Sequence, residues 1–125
     1  MDIDELIKKV IGAAFKVHNT LGAGFLESVY EKAMMIELKK AGLTAQRQNR
    51  MSVIYNGETI GDFFADILVE STLILELKTV DKFSKSHDRQ LINYLVATGI
   101  DNGLLINFGE SVEVRRKYRR YTPSR

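Results

Sequence analysis

The chain has 125 residues, a length that fits one domain spanning 1–125. Apolar residues make up 45% and charged residues 27%, an ordinary globular balance, and the absence of cysteine excludes disulfides and thiolate zinc sites, leaving a cytoplasmic setting as the expectation. The net charge of +2 hides an asymmetry: six basic residues and no acidic one lie from Arg115 onward, so residues 1–114 hold 12 basic against 16 acidic side chains.

The opening stretch MDIDELIKKV is acidic and lacks a long apolar core, so it does not read as a signal peptide. No apolar run approaches the roughly 20 residues of a membrane span, and no membrane partner is expected. Ile3, Leu6, Ile7, Val10, Ala14, Val17 and Leu21 recur at spacings of three and four, one face of an amphipathic helix that Asp2 or Asp4 is placed to cap. Gly22 and Gly24 break it. A second helix is expected from about Leu26 to Ala41, with Leu26, Val29, Tyr30, Ala33 and Ile36 inward and Gly42 ending it.

The pattern then changes period. MSVIY and ETIGDFFADILV read as strands around Asn56-Gly57, the strongest short hairpin signal. TLILELKTV reads as a third strand. A helix from about Lys85 to Thr98 follows, with Leu91, Tyr94, Leu95 and Thr98 on one face. GLLINF is a short apolar strand of the buried kind, and SVEVRRKY reads as an edge strand with a charged face. The third strand, the helix and GLLINF form a β-α-β unit, which is expected to be parallel. The fold class is therefore α/β, with a mixed sheet.

Two segments carry the chemistry, FFADILV and LILELK. A three-residue loop of Glu70, Ser71 and Thr72 pairs Val69 with Leu73 and Ile67 with Leu75, and brings Asp66 opposite Glu76. A two-residue loop puts the two acids on opposite faces, and the apolar residues alone do not choose between the loops. In the first register, two carboxylates face each other with Cβ atoms about 5 Å apart, an arrangement that is unfavourable unless compensated. A hard divalent cation compensates it, with the backbone carbonyl of Leu77 as a further ligand. Lys78, two residues past Glu76, shares its face and is placed to orient water or to offset charge on a phosphate. The plain alternative for Glu-x-Lys is a surface ion pair. Its place inside apolar runs argues against that, because buried charges are costly unless paired or bound to metal.

Asp66, then Glu76-Leu77-Lys78, resemble the acid and Glu-x-Lys pattern of the PD-(D/E)XK nuclease superfamily. Upstream, Gly24-Phe25-Leu26-Glu27-Ser28-Val29-Tyr30 resembles the motif of the GxxExxY proteins placed in that superfamily. The resemblance runs from about Val10 to Gly109. It implies a restriction-endonuclease-like αβββαβ core with an extra N-terminal helix and a C-terminal edge strand. It also implies an Mg²⁺- or Mn²⁺-dependent nuclease acting on nucleic acid, DNA in preference to RNA. By the resemblance, Glu27 joins Asp66, Glu76 and Lys78 as a catalytic residue, while Gln90, Tyr94, Tyr30 and His18 line the site. The plain alternatives are a helix-terminal acid for Glu27, a core aromatic for Tyr94 and a helix-face histidine for His18. Arg115, Arg116, Lys117, Arg119 and Arg120 are expected to grip the nucleic-acid backbone, the alternative being a solvated terminus. The rival to a nuclease is a non-cleaving nucleic-acid-binding or homodimeric module on the same fold.

Overall fold

A computed structural model describes residues 1–119. Their elements run α1 (Ile3–Leu21), α2 (Glu27–Lys40), β1 (Ala45–Tyr55), β2 (Glu58–Val69), β3 (Leu73–Lys78), α3 (Lys85–Thr98), β4 (Asn102–Phe108) and β5 (Val112–Tyr118). The five strands form one sheet in chain order. β3 and β4 are parallel, as a strand–helix–strand crossover requires, and the other neighbours are antiparallel. The α/β fold class and the mixed sheet read from the sequence are the ones found.

Alternation along β3 and β4 sorts the core into two layers. Leu73, Leu75 and Leu77 of β3, with Leu104, Ile106 and Phe108 of β4, pack against α1 and α2. Ile74 and Leu105 point the other way, into a smaller cluster with Leu91 and Leu95 of α3. Strands covered on both faces have little use for polar residues, and the buried runs of β3 and β4 are broken only at Glu76 and Asn107.

Local chemistry sets the boundaries. Asp2 caps α1 by accepting the Glu5 N–H (2.8 Å). Asn56 and Gly57 both take positive φ (49° and 80°), joining β1 to β2 in a two-residue turn. Gly99 ends α3 in the left-handed conformation. Gly103 lets α3 approach β4: a Cβ there would lie 2.9 Å from Leu91 Cδ1.

Two expectations change. β1 begins six residues before MSVIY, because the polar stretch Ala45–Arg50 pairs with β2 although it has no apolar alternation. The inward face of α2 is also rotated. Tyr30, Glu31, Met34 and Leu38 are buried, whereas Leu26 and Ile36 are 77% and 62% exposed. The rotation is possible because Glu31 finds partners inside, so a charged residue occupies the buried stripe. Among the described residues, no helix is long and apolar enough to cross a membrane.

Candidate functional site

The three-residue loop forms. Val69 pairs with Leu73 and Ile67 with Leu75, and Glu70 and Ser71 turn the chain with positive φ (53° and 56°). The β2–β3 ladder then stops, one step short of Asp66 and Glu76. In its place the side chains bridge the strands. The Asp66 N–H donates to Glu76 Oε2 (2.8 Å), and the Leu77 N–H donates to Asp66 Oδ2 (2.7 Å). Each carboxylate thus satisfies an amide of the opposite strand. The second oxygens, Asp66 Oδ1 and Glu76 Oε1, have no hydrogen-bond partner among the described residues.

Enclosure makes both carboxylates costly to ionise. Glu76 is 4% exposed. Burial is the main cause that pushes its carboxyl up from 4.5 to about 8; the Asp66 charge adds to this, while the Asp66 N–H and Lys78 oppose it. Asp66 rises from 3.8 to about 6, again mainly by burial, with Glu31 and Glu27 adding and the Leu77 N–H and Lys78 opposing. Lys78 is therefore close enough to act on both acids. Tyr94 faces the pair from α3: its hydroxyl is pushed up by burial and then by the Glu76 and Asp66 charges. Its ring stacks on Phe63, centroids 3.8 Å apart. Acids of α2 and a tyrosine of α3 thus influence, or are influenced by, the same two carboxyls.

Glu27 is the first residue of α2 and belongs to this acidic surround. The sequence reading missed a nearer acid, Glu31. It lies four residues on, so one helix face carries both, and that spacing was the available signal. Glu31 is 4% exposed, pairs with Arg47 Nε (2.9 Å) and accepts from Gln48 Nε2 (2.8 Å). Asn107 was also missed. Buried in β4, its side chain accepts the Val80 N–H (2.9 Å) and donates to the Val80 carbonyl (2.7 Å), fixing the chain just past Lys78.

Other candidates stand further off. Gln90 is exposed, one turn before Tyr94. Tyr30 is fully buried; its hydroxyl donates to the Gly22 carbonyl (2.5 Å) and accepts the Phe25 N–H (3.3 Å), and its ring stacks on Phe108 at 4.6 Å. His18 Nε2 bonds the Gly109 carbonyl (2.8 Å). Tyr30 and His18 thus tie the α1–α2 loop and the end of β4 together, which sets where Glu27 enters. The basic strand β5 is largely engaged within the chain. Arg115 and Lys117 both pair with Asp88 (2.8 and 3.1 Å), Arg116 with Asp4 (2.9 Å) and Arg119 with Asp101 (2.9 Å). Arg120 lies outside the described residues.

As potential metal donors, the gap offers two carboxylates with one free oxygen each, close to the Leu77 backbone. Among the described residues, no three of His, Cys, Asp and Glu gather as a ligand set. Two carboxylates still fit a hard cation that keeps water or substrate oxygens as its remaining ligands, as Mg²⁺ commonly does.

A family model described as the PD-(D/E)XK nuclease superfamily matches residues 4–121. Among solved structures, the chain is similar to one titled "Crystal structure of SSO0001", with a TM-score of 0.62 and 17% identity. The match covers 77% of this chain and 52% of that one, so the chain spans about half the length of that protein. At that identity the likeness shows the fold. No curated protein matches.

Proposed function

The chain belongs to the PD-(D/E)XK nuclease superfamily, and on that premise we propose that it hydrolyses phosphodiester bonds of nucleic acid in the gap between β2 and β3. The observation that carries this reading is the pair of carboxylates, Asp66 and Glu76, each spending one oxygen on the opposing strand and keeping the other free, with the Lys78 charge acting on both. Asp66, Glu76 and the Leu77 carbonyl would hold Mg²⁺ or Mn²⁺. That ion supplies a Lewis acid for the phosphate and a lowered pKa for water.

The remaining chemistry belongs to the side chains. The Lys78 ammonium orients the attacking water and offsets charge that grows on the non-bridging phosphate oxygens as the P–O bond to the leaving group breaks. Glu27 and Glu31 keep the surround negative, which favours a bound cation over a bare carboxylate pair. Tyr94 walls the site on the α3 side. DNA as the preferred substrate, a cytoplasmic setting and a narrower place among the GxxExxY proteins, supported by Gly24, Glu27 and Tyr30, belong to the same proposal.

The sparse donor set favours one rival, a module that keeps the fold and binds nucleic acid without cutting it. Purified protein with Mn²⁺ and labelled single- and double-stranded substrates separates the two. Cleavage that is abolished in Lys78→Ala, with the circular dichroism spectrum unchanged, supports the nuclease. Cleavage that survives in Lys78→Ala overturns the mechanism, and binding without any product supports the rival.

A further inference from the structure

The basic residues of β5 are poorly placed to hold a substrate. The site lies between β2 and β3, whereas β5 is the far edge of the sheet, two strands beyond β3. Its three cations, Arg115, Arg116 and Lys117, already face Asp4 and Asp88, and Arg119 just past it faces Asp101. The nearer edge is β1. Its segment Gln46–Arg50 contains five consecutive polar side chains and no acid. Gln48, at φ 54°, lies between the pairs Arg47–Ile67 and Asn49–Ala65, and so stands directly across from Asp66. Neighbouring strands are about 4.8 Å apart, which puts this segment one strand away from the scissile position.

We propose that Arg47, Gln48, Asn49 and Arg50 form a phosphate-binding site for the polynucleotide backbone flanking the scissile bond, with Arg47 as its anchoring cation and Glu31 as the residue that positions it. The proposal rests on the nuclease reading. Glu31 is enclosed, and its Oε1 is shared by Arg47 Nε and Gln48 Nε2, so one buried acid fixes two donor side chains at once. The Arg47 side chain stays 34% exposed, and no second partner for its guanidinium is found among the described residues. Pairing through Nε leaves the terminal N–H groups of the guanidinium for a phosphate, which their planar fork suits. Arg50, more exposed than Arg47, donates to Asp62 (2.9 Å) and extends the strip along β1. Among the described residues β1 is also an edge strand, so its outward backbone N–H groups add donors of the same kind.

The alternative is that Arg47 serves only to neutralise Glu31. Anisotropy titrations of labelled single-stranded DNA and RNA oligonucleotides, in the non-cleaving Lys78→Ala background with Mg²⁺, distinguish the two. Arg47→Ala is expected to weaken binding about tenfold and to reduce the salt dependence by about one phosphate contact, as loss of one cation–phosphate pair does. Arg47→Ala combined with Glu31→Gln removes the unpaired buried acid, and should recover folding stability without recovering affinity. Arg115→Ala should change affinity less than threefold. Binding that is indifferent to Arg47 but lost in Arg115→Ala overturns this assignment and leaves the nuclease standing. Recovery of affinity in the double variant also overturns it. If the parent binds neither oligonucleotide, this assignment and the nuclease reading fall together.

Discussion

Removing the charge of Glu76 should stabilise the metal-free protein, and by an amount that depends on pH. Its carboxyl titrates near 4.5 when unfolded and at about 8 in the enclosed gap. Below about pH 4.5 both states hold the proton and the group contributes nothing. Between 4.5 and 8 the folded state keeps a proton that the unfolded state has released, so stability falls as pH rises, and above 8 the loss is complete. At about 1.4 kcal/mol per unit, the loss between pH 5 and pH 8 comes to roughly 3.5 kcal/mol. Asp66 adds a loss of the same sign as pH rises through about 6, but part of it is the same mutual repulsion, so the two do not sum. Glu76→Gln keeps an oxygen to accept the Asp66 N–H and abolishes the titration. Urea unfolding of both proteins in chelator, followed by circular dichroism from pH 5 to pH 8.5, should give nearly equal stabilities at pH 5. At pH 8 the variant should lead by about 3 kcal/mol. Parallel profiles, or a lead that does not grow with pH, would refute the claim that burial makes this carboxylate costly.

Two further predictions concern the scaffold of the site. Tyr30→Phe strands the Gly22 carbonyl and the Phe25 N–H and should cost about 1–3 kcal/mol in urea unfolding. A change below about 0.5 kcal/mol would mean that the hydroxyl does not hold the α1–α2 loop. Gly103→Ala drives a methyl into Leu91 and should destabilise by about 1–3 kcal/mol. Combined with Leu91→Ala, it should cost less than the sum of the two single changes, because the overlap is gone; simple additivity would contradict the close approach of α3 to β4.

The sequence was most informative where local chemistry decides structure. Asn56-Gly57 demanded its turn, and the run from Val69 to Leu73 admitted a register that the sheet adopts, which carries Asp66 and Glu76 to the same gap. It was least informative where a distant partner decides. Nothing local marks Ala45–Arg50 as a strand, because its pairing is imposed by β2. Nothing local marks Glu31 for burial either, which Arg47 and Gln48, brought alongside by the sheet, make tolerable. The same holds for β5. Arg115, Arg116, Lys117 and Arg119 look like free positive charge, yet the aspartates that answer them lie as far back in the chain as Asp4, a separation that no local window along the sequence spans.

The parting of β2 from β3 has a consequence for observation. At that point the strands are held together by the side chains of Asp66 and Glu76, through the amides of Leu77 and Asp66. Those two amides are therefore resident reporters. Their nuclear magnetic resonance shifts and hydrogen-exchange rates register protonation or cation capture at the carboxylates directly. The protonation state of the carboxylate pair can be read from the backbone alone.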